Sequence, residues 1–100
     1  MARRLIWSHR AADELQDIAV FIAKDSPAYA GPVVARFLNR AGALADQPSQ
    51  GRRVPEYQGV LVLREVFVHR WRLIYAVSDD KIEIVTIVHG ARLMENAKPL

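Results

Sequence analysis

The chain contains no cysteine, which removes a disulfide framework, a thiolate metal site and a cysteine nucleophile together. It has no apolar run near the ~20 residues that a membrane-spanning helix needs; the longest is Ile18 to Ala23. Met1-Ala2-Arg3-Arg4 carries charge but is not followed by an apolar stretch of signal-peptide length. Lysine is scarce, with only Lys24, Lys81 and Lys98, so arginine supplies nearly all the positive charge. His9, His69 and His89 lack ligand spacing, and the paired carboxylates Asp79-Asp80 fall in a turn, so no metal centre is expected. At 100 residues the chain is too short for a cofactor domain beside a substrate domain. These absences predict a soluble, cytoplasmic, single domain over residues 1–100, with no cofactor, no metal and no membrane partner.

What is present is ordinary for a globular protein: 51% hydrophobic and 25% charged residues. A core built from so short a chain buries roughly 60–65% of the unfolded surface. The net charge is +3, and its placement matters more than its size. Arg52, Arg53, Arg64, Arg70 and Arg72 stand against Glu56 and Glu65, while residues 11–23 hold Asp13, Glu14 and Asp17 and no basic residue. Arginine forms bidentate bonds to phosphate and carboxylate, so the cluster points to an acidic or phosphate-bearing partner.

Periodicity separates a helical half from a β half. Leu5-Ile6-Trp7 reads as a short strand, and Ser8 as the N-cap of a helix whose stripe is Ala11, Leu15, Ile18 and Ile22. Asp13, Glu14, Gln16 and Asp17 take the solvent side. Asp25-Ser26-Pro27 breaks and restarts the chain, with Ser26 as a cap and Pro27 at the first helical position. Pro32 predicts either a kink or a later start at Gly31-Pro32. Val33, Val34, Phe37, Leu38, Ala41 and Leu44 form the buried side, and residues 47–51 end the helix. Residues 61–68, 71–77 and 82–88 then read as three strands joined by short turns, hence antiparallel. The fold class is α+β in the order β-α-α-β-β-β, a helix hairpin covering one face of a sheet. The other face, partly apolar, is a candidate partner groove.

With those residues in that order, the chain resembles the ParE/RelE superfamily of small bacterial toxins. Leu5-Ile6-Trp7-Ser8, Ala12 with Glu14-Leu15 and Ile18, Ser26-Pro27, Pro48 with Gly51-Arg52, Val54-Pro55-Glu56, Leu63-Arg64-Glu65, Arg72-Leu73-Ile74-Tyr75 and Ile87-Val88-His89-Gly90-Ala91-Arg92 all match in sequence. The resemblance implies a toxin held inactive by a cognate antitoxin. ParE-type members poison DNA gyrase, and RelE-type members cut messenger RNA on the ribosome.

RNA cleavage needs a base, cations for the phosphorane and an acid. Glu56, Arg64, Arg72 and His89 resemble such a set in one endonuclease subgroup. That subgroup, however, ends in His-Tyr or carries a later tyrosine; here Gly90 follows His89 and no tyrosine follows Tyr75. The lysine pairs of other ribosome-dependent cutters are missing too. Each candidate also has a structural alternative. Arg72 can pair with Glu65 across the hairpin, worth about 0–1 kcal/mol on an exposed face. His89 can be a hydrogen-bonder at a strand end, and Glu56 a solvated loop residue. If His69-Arg70 alone forms the loop, Arg64 faces Tyr75, and Arg64 and Arg72 lie on opposite faces; one more loop residue puts them together. The preferred reading is therefore a ParE-like gyrase inhibitor without catalytic residues, with His89, Arg92 and the tail facing gyrase. Arg52, Arg53, Arg64 and Arg72 are expected to meet an acidic, ParD-like antitoxin, with little direct DNA contact.

Overall fold

The computed structural model describes residues 2–90; Arg92 and the rest of the tail lie outside the described residues. Strand β1 (Arg4–Trp7) leads into α1 (His9–Asp25) and α2 (Pro27–Asp46). A 3-10 turn at Pro48–Gln50 precedes β2 (Arg52–Arg53), β3 (Leu63–Val68), β4 (Trp71–Val77) and β5 (Lys81–His89). The sheet order is β1-β5-β4-β3-β2. β1 runs parallel to β5 at one edge, and the other pairings are antiparallel. The expected order of elements is therefore present, with β2 added. The strand expected over 61–68 begins at Leu63, because Leu61 and Val62 belong to a loop.

Ser8 does what an N-cap should. Its hydroxyl accepts from the Ala11 amide at 3.0 Å and donates to the Val85 carbonyl at 2.8 Å, tying the start of α1 to β5. Val85 is the extra residue of a β-bulge, since Ile74 pairs with Thr86 while Tyr75 pairs with Ile84. Glu14, expected on the solvent side, instead reaches this region of β5. Its carboxylate accepts from the Thr86 hydroxyl at 2.7 Å and the Ile87 amide at 2.9 Å. Ser26 makes no side-chain cap bond, although Pro27 does occupy the first turn of α2.

Pro32 neither starts α2 nor breaks it. It removes one amide that would have bonded to the Ala28 carbonyl. Both residues are exposed, so water can take that carbonyl, and the apolar stripe downstream holds the helix. Val33, Phe37, Ala41 and Leu44 of that stripe are buried against Ala11, Leu15 and Ile18 of α1 and against Val66, Val68, Leu73, Tyr75, Ile82 and Ile84 of the sheet.

The second sheet face is less bare than its sequence suggests. Segment 54–62 folds over it, and Val54 is buried in a second cluster with Leu63, Ile74, Val85 and Val88, flanked by Tyr57 and Ala76. What stays open is a groove of about 430 Å³ with Leu61 and Val62 on one side and Ala76, Val77 and Val85 as its apolar lining, rimmed by Ser8, Arg10, Lys81 and Glu83. Among the described residues no helix is long and apolar enough to cross a membrane. Among the same residues no group of three or more His, Cys, Asp or Glu is placed to hold a metal ion.

Candidate functional site

The arginine-rich segment is anchored at Gly51. This residue is extended (φ −81°, ψ 161°), so its role is not conformational. A Cβ there would stand 2.4 Å from the Glu65 carbonyl oxygen and 2.5 Å from the Tyr75 hydroxyl. Only glycine lets β2 approach β3 this closely. The buried Tyr75 hydroxyl accepts from the Gly51 amide at 2.9 Å and donates to the Pro48 carbonyl at 2.7 Å. Arg64 donates to the Gly51 carbonyl at 2.7 Å. Pro48, Gly51, Arg64 and Tyr75 are thus one clamp, although they lie on three separate stretches of the chain.

Burial pushes the Tyr75 phenol above its ordinary value of 10.0, against the Gly51 hydrogen bond and the nearby Arg64 and Arg40 charges. Folding therefore favours the neutral phenol. That contribution is complete below the unfolded value of about 10 and is lost as pH rises through the folded one. Stability should be insensitive to this group up to about pH 9 and should fall above about pH 10. Tyr75→Phe should be less stable at neutral pH but show a shallower alkaline loss, readable from thermal melts across the pH series. An identical alkaline slope in both proteins would mean that Tyr75 is not protected.

On the opposite face, β3 and β4 present Glu65 and Arg72, both buried. Arg72 Nε and Nη2 contact Glu65 Oε1 at 2.7 and 2.6 Å. The same guanidinium holds Glu56 bidentately, Nη1 to Oε2 at 2.7 Å and Nη2 to Oε1 at 2.8 Å. Glu65 Oε2 in turn accepts from Arg52 Nε at 2.6 Å, and the exposed Arg52 guanidinium lies 5.7 Å from the centre of the Phe67 ring. The hydrogen bond to Glu56 raises Arg72 above its already high value; burial opposes the shift, and Glu65 adds to it. Arg72 is a permanent cation locked between two carboxylates, and Glu56 pins the segment 54–62 to the sheet.

The four residues of the RNA-cleaving alternative do not converge. The turn at His69-Arg70 has two residues, so Val68 faces Trp71 and Arg64 faces Tyr75. This register puts Arg64 on the helix-covered face and Arg72, opposite Phe67, on the other. His89 faces Trp71 across β4–β5, with the rings edge-on at 6.3 Å, and so shares the face of Trp71 rather than that of Arg72. Glu56 and Arg72 alone meet, and they meet as an ion pair. Glu56 is half-buried rather than solvated, and the Arg72–Glu65 pair is present but buried rather than exposed. Of the arginines expected on an acidic partner, Arg52 and Arg53 are exposed, Arg64 is half-buried on Gly51, and Arg72 is enclosed.

Sequence reasoning missed a second basic site. Arg36 and Arg40 of α2 converge with His69 of the β3–β4 turn at a cleft of about 360 Å³. The i, i+4 spacing of the two arginines was a legible signal, whereas the proximity of His69 was not.

Comparison with known proteins gives a consistent result. Residues 5–94 match the family described as ParE toxin of type II toxin–antitoxin system, parDE. Y4kP of Sinorhizobium fredii is 36% identical over 90 residues, covering 88% of each chain. Toxin RelE2 of Caulobacter vibrioides is 33% identical over 90 residues, covering 90% of this chain and 98% of its own. Two solved structures share the fold. The chromosomal ParDE system of P. aeruginosa has a TM-score of 0.75 at 22% identity, covering 88% of this chain and 96% of that one. The archaeal RelE–RelB complex of Pyrococcus horikoshii has 0.62 at 23% identity, covering 92% and 99%.

Proposed function

Since the chain belongs to the ParE toxin family of type II toxin–antitoxin systems, we propose that it acts by binding DNA gyrase rather than by cutting RNA. The observation that carries this reading is the state of Arg72. A phosphorane needs a cation aimed into an accessible site. Arg72 is 4% exposed and already engaged by Glu56 and Glu65. Glu56, the candidate base, has both carboxylate oxygens on that guanidinium, while Arg64 and His89 belong to the other face. A binding protein needs none of these groups to be free. Its gyrase-facing surface is assigned to His89, Arg92 and the tail.

The neutralising partner is an antitoxin of the ParD type. The apolar groove bounded by Leu61, Val62, Ala76, Val77 and Val85 suits an apolar segment of that partner. The exposed Arg52 and Arg53 suit its acidic residues, chiefly by speeding association. Arg64 and Arg72 drop out of this contact because their guanidinium groups are used within the fold.

The test sets purified gyrase beside translating ribosomes. The expected result is loss of supercoiling activity, double-strand breaks in cells with messenger RNA intact, and growth arrest relieved by co-production of the antitoxin. Codon-phased cleavage of messenger RNA with gyrase unaffected would replace this reading with the ribonuclease one.

A further inference from the structure

We infer that Glu83 selects the antitoxin: the apolar segment that fills the groove beside it carries one arginine or lysine, seated on the Glu83 carboxylate. This inference rests on the antitoxin reading of the groove given above and is independent of the toxin's target.

Glu83 stands within the sheet, opposite Ile6 of β1 on one side and Ala76 of β4 on the other. Its neighbours Ile82 and Ile84 are fully buried beneath the helices, so strand alternation sends Glu83 to the far face. There it is half-buried and borders the groove beside Ala76 and Val85. It is the one acidic residue in a lining otherwise apolar, hydroxyl or cationic.

The other polar groups around the groove are satisfied within the fold. Ser8 bonds Val85 and Ala11, Ser78 bonds the Lys81 carbonyl at 3.2 Å, and Arg10 is already engaged. Among the described residues, no hydrogen bond or ion pair holds the Glu83 carboxylate. Lys81 shares its face but sits two residues away, about 7 Å along the strand, opposite Arg4 at the sheet edge. In the free protein water solvates the carboxylate, and the arrangement costs little.

Docking reverses that balance. An apolar segment laid over the groove strips the remaining water from an ionised group, and an unpaired charge is very costly to bury. A neutral donor supplies a hydrogen bond but no counter-charge. A base supplies both, and segments that lack one are turned away. The antitoxin therefore brings two kinds of charge. Its acids meet Arg52 and Arg53 and act on association, while its base meets Glu83 and acts on dissociation.

Binding kinetics of the full chain with its full-length antitoxin test this. Glu83→Gln should leave the melting temperature nearly unchanged and weaken the complex about thirtyfold or more, through faster dissociation. The sign is decisive: against a segment without a base, the same substitution removes a desolvation cost and tightens the complex. The loss should persist in a Lys81→Gln background. Changing the antitoxin's lysines and arginines singly to Met should find one position that reproduces the loss, and there Glu83→Gln should add little more. Val62→Asp in the groove wall should also abolish tight binding. Val60→Ser, in the same loop but outside the groove, should change nothing. Unchanged affinity in Val62→Asp overturns the groove assignment and the inference with it. Where Val62→Asp does lose binding, any of three results overturns the role of Glu83 alone: Glu83→Gln neutral or tighter, its effect vanishing without Lys81, or no basic position of the antitoxin reproducing it.

Discussion

Replacing Arg72 by Gln is expected to cost about 3–5 kcal/mol, the usual result of removing one partner from a buried ion pair. For a domain of this size that corresponds to a fall in melting temperature on the order of 10–40 °C. Small domains hold only about 5–15 kcal/mol in all, so much of the variant would unfold near growth temperature. The reason is geometric. Glu65 has no exposed side-chain surface and Glu56 little, and without the guanidinium two enclosed carboxylates lose the cation that both of them hold. From the sequence, the same substitution is expected to be nearly neutral, because a mid-strand Arg–Glu pair is read as an exposed one. Neutralising the partner as well, in Arg72→Gln/Glu65→Gln, should recover part of the loss. A single variant that melts within about 4 °C of the parent, roughly 1 kcal/mol, would show that the network is not enclosed. Loss of toxicity in an Arg72 variant is therefore not evidence of catalysis unless its fold is shown to survive.

The pair itself was legible because Glu65 and Arg72 flank a short turn. Its burial was not, because the cover comes from segment 54–62, where Pro55, Tyr57 and Gly59 carry no period that announces packing. The hairpin register was open for a similar reason. His69-Arg70 lacks the Asn-Gly or Asp-Gly signature that fixes a two-residue turn. What selects the register is the tertiary contact of Val66, Val68, Leu73 and Tyr75 with the helices. The helices were legible from their stripes, and even Pro32 could not interrupt a stripe that continues through Leu44. β2 spans only two arginines and has no pattern of its own. The sequence did preserve its anchor, as Pro48 and Gly51, without revealing that Tyr75 is what they hold.

That anchor supports the second large effect. Gly51→Ala is expected to destabilise by about 3 kcal/mol, the upper part of the range for forcing a methyl group into packed structure. The obstructing atoms cannot swing aside. One is the Glu65 carbonyl oxygen within the β3 ladder, and the other is a phenol oxygen held by two hydrogen bonds. Relief requires β2 to move away, which breaks the Tyr75 bonds to Gly51 and Pro48, the Arg64 bond to the Gly51 carbonyl and the pairing of Arg52 with Glu65. Tyr75→Phe alone removes a buried hydroxyl and leaves a backbone donor and acceptor wanting, about 1–3 kcal/mol. In the double variant one obstruction is gone, so the two losses should fall short of additive by about 1 kcal/mol, within the range for contacting residues. The shortfall is partial because the Glu65 oxygen remains in the way. Because β2 carries Arg52 and Arg53, the same displacement should slow association with the antitoxin. Strict additivity in urea or thermal unfolding, together with unchanged association kinetics, would mean that Gly51 and Tyr75 do not clamp the arginine-bearing segment.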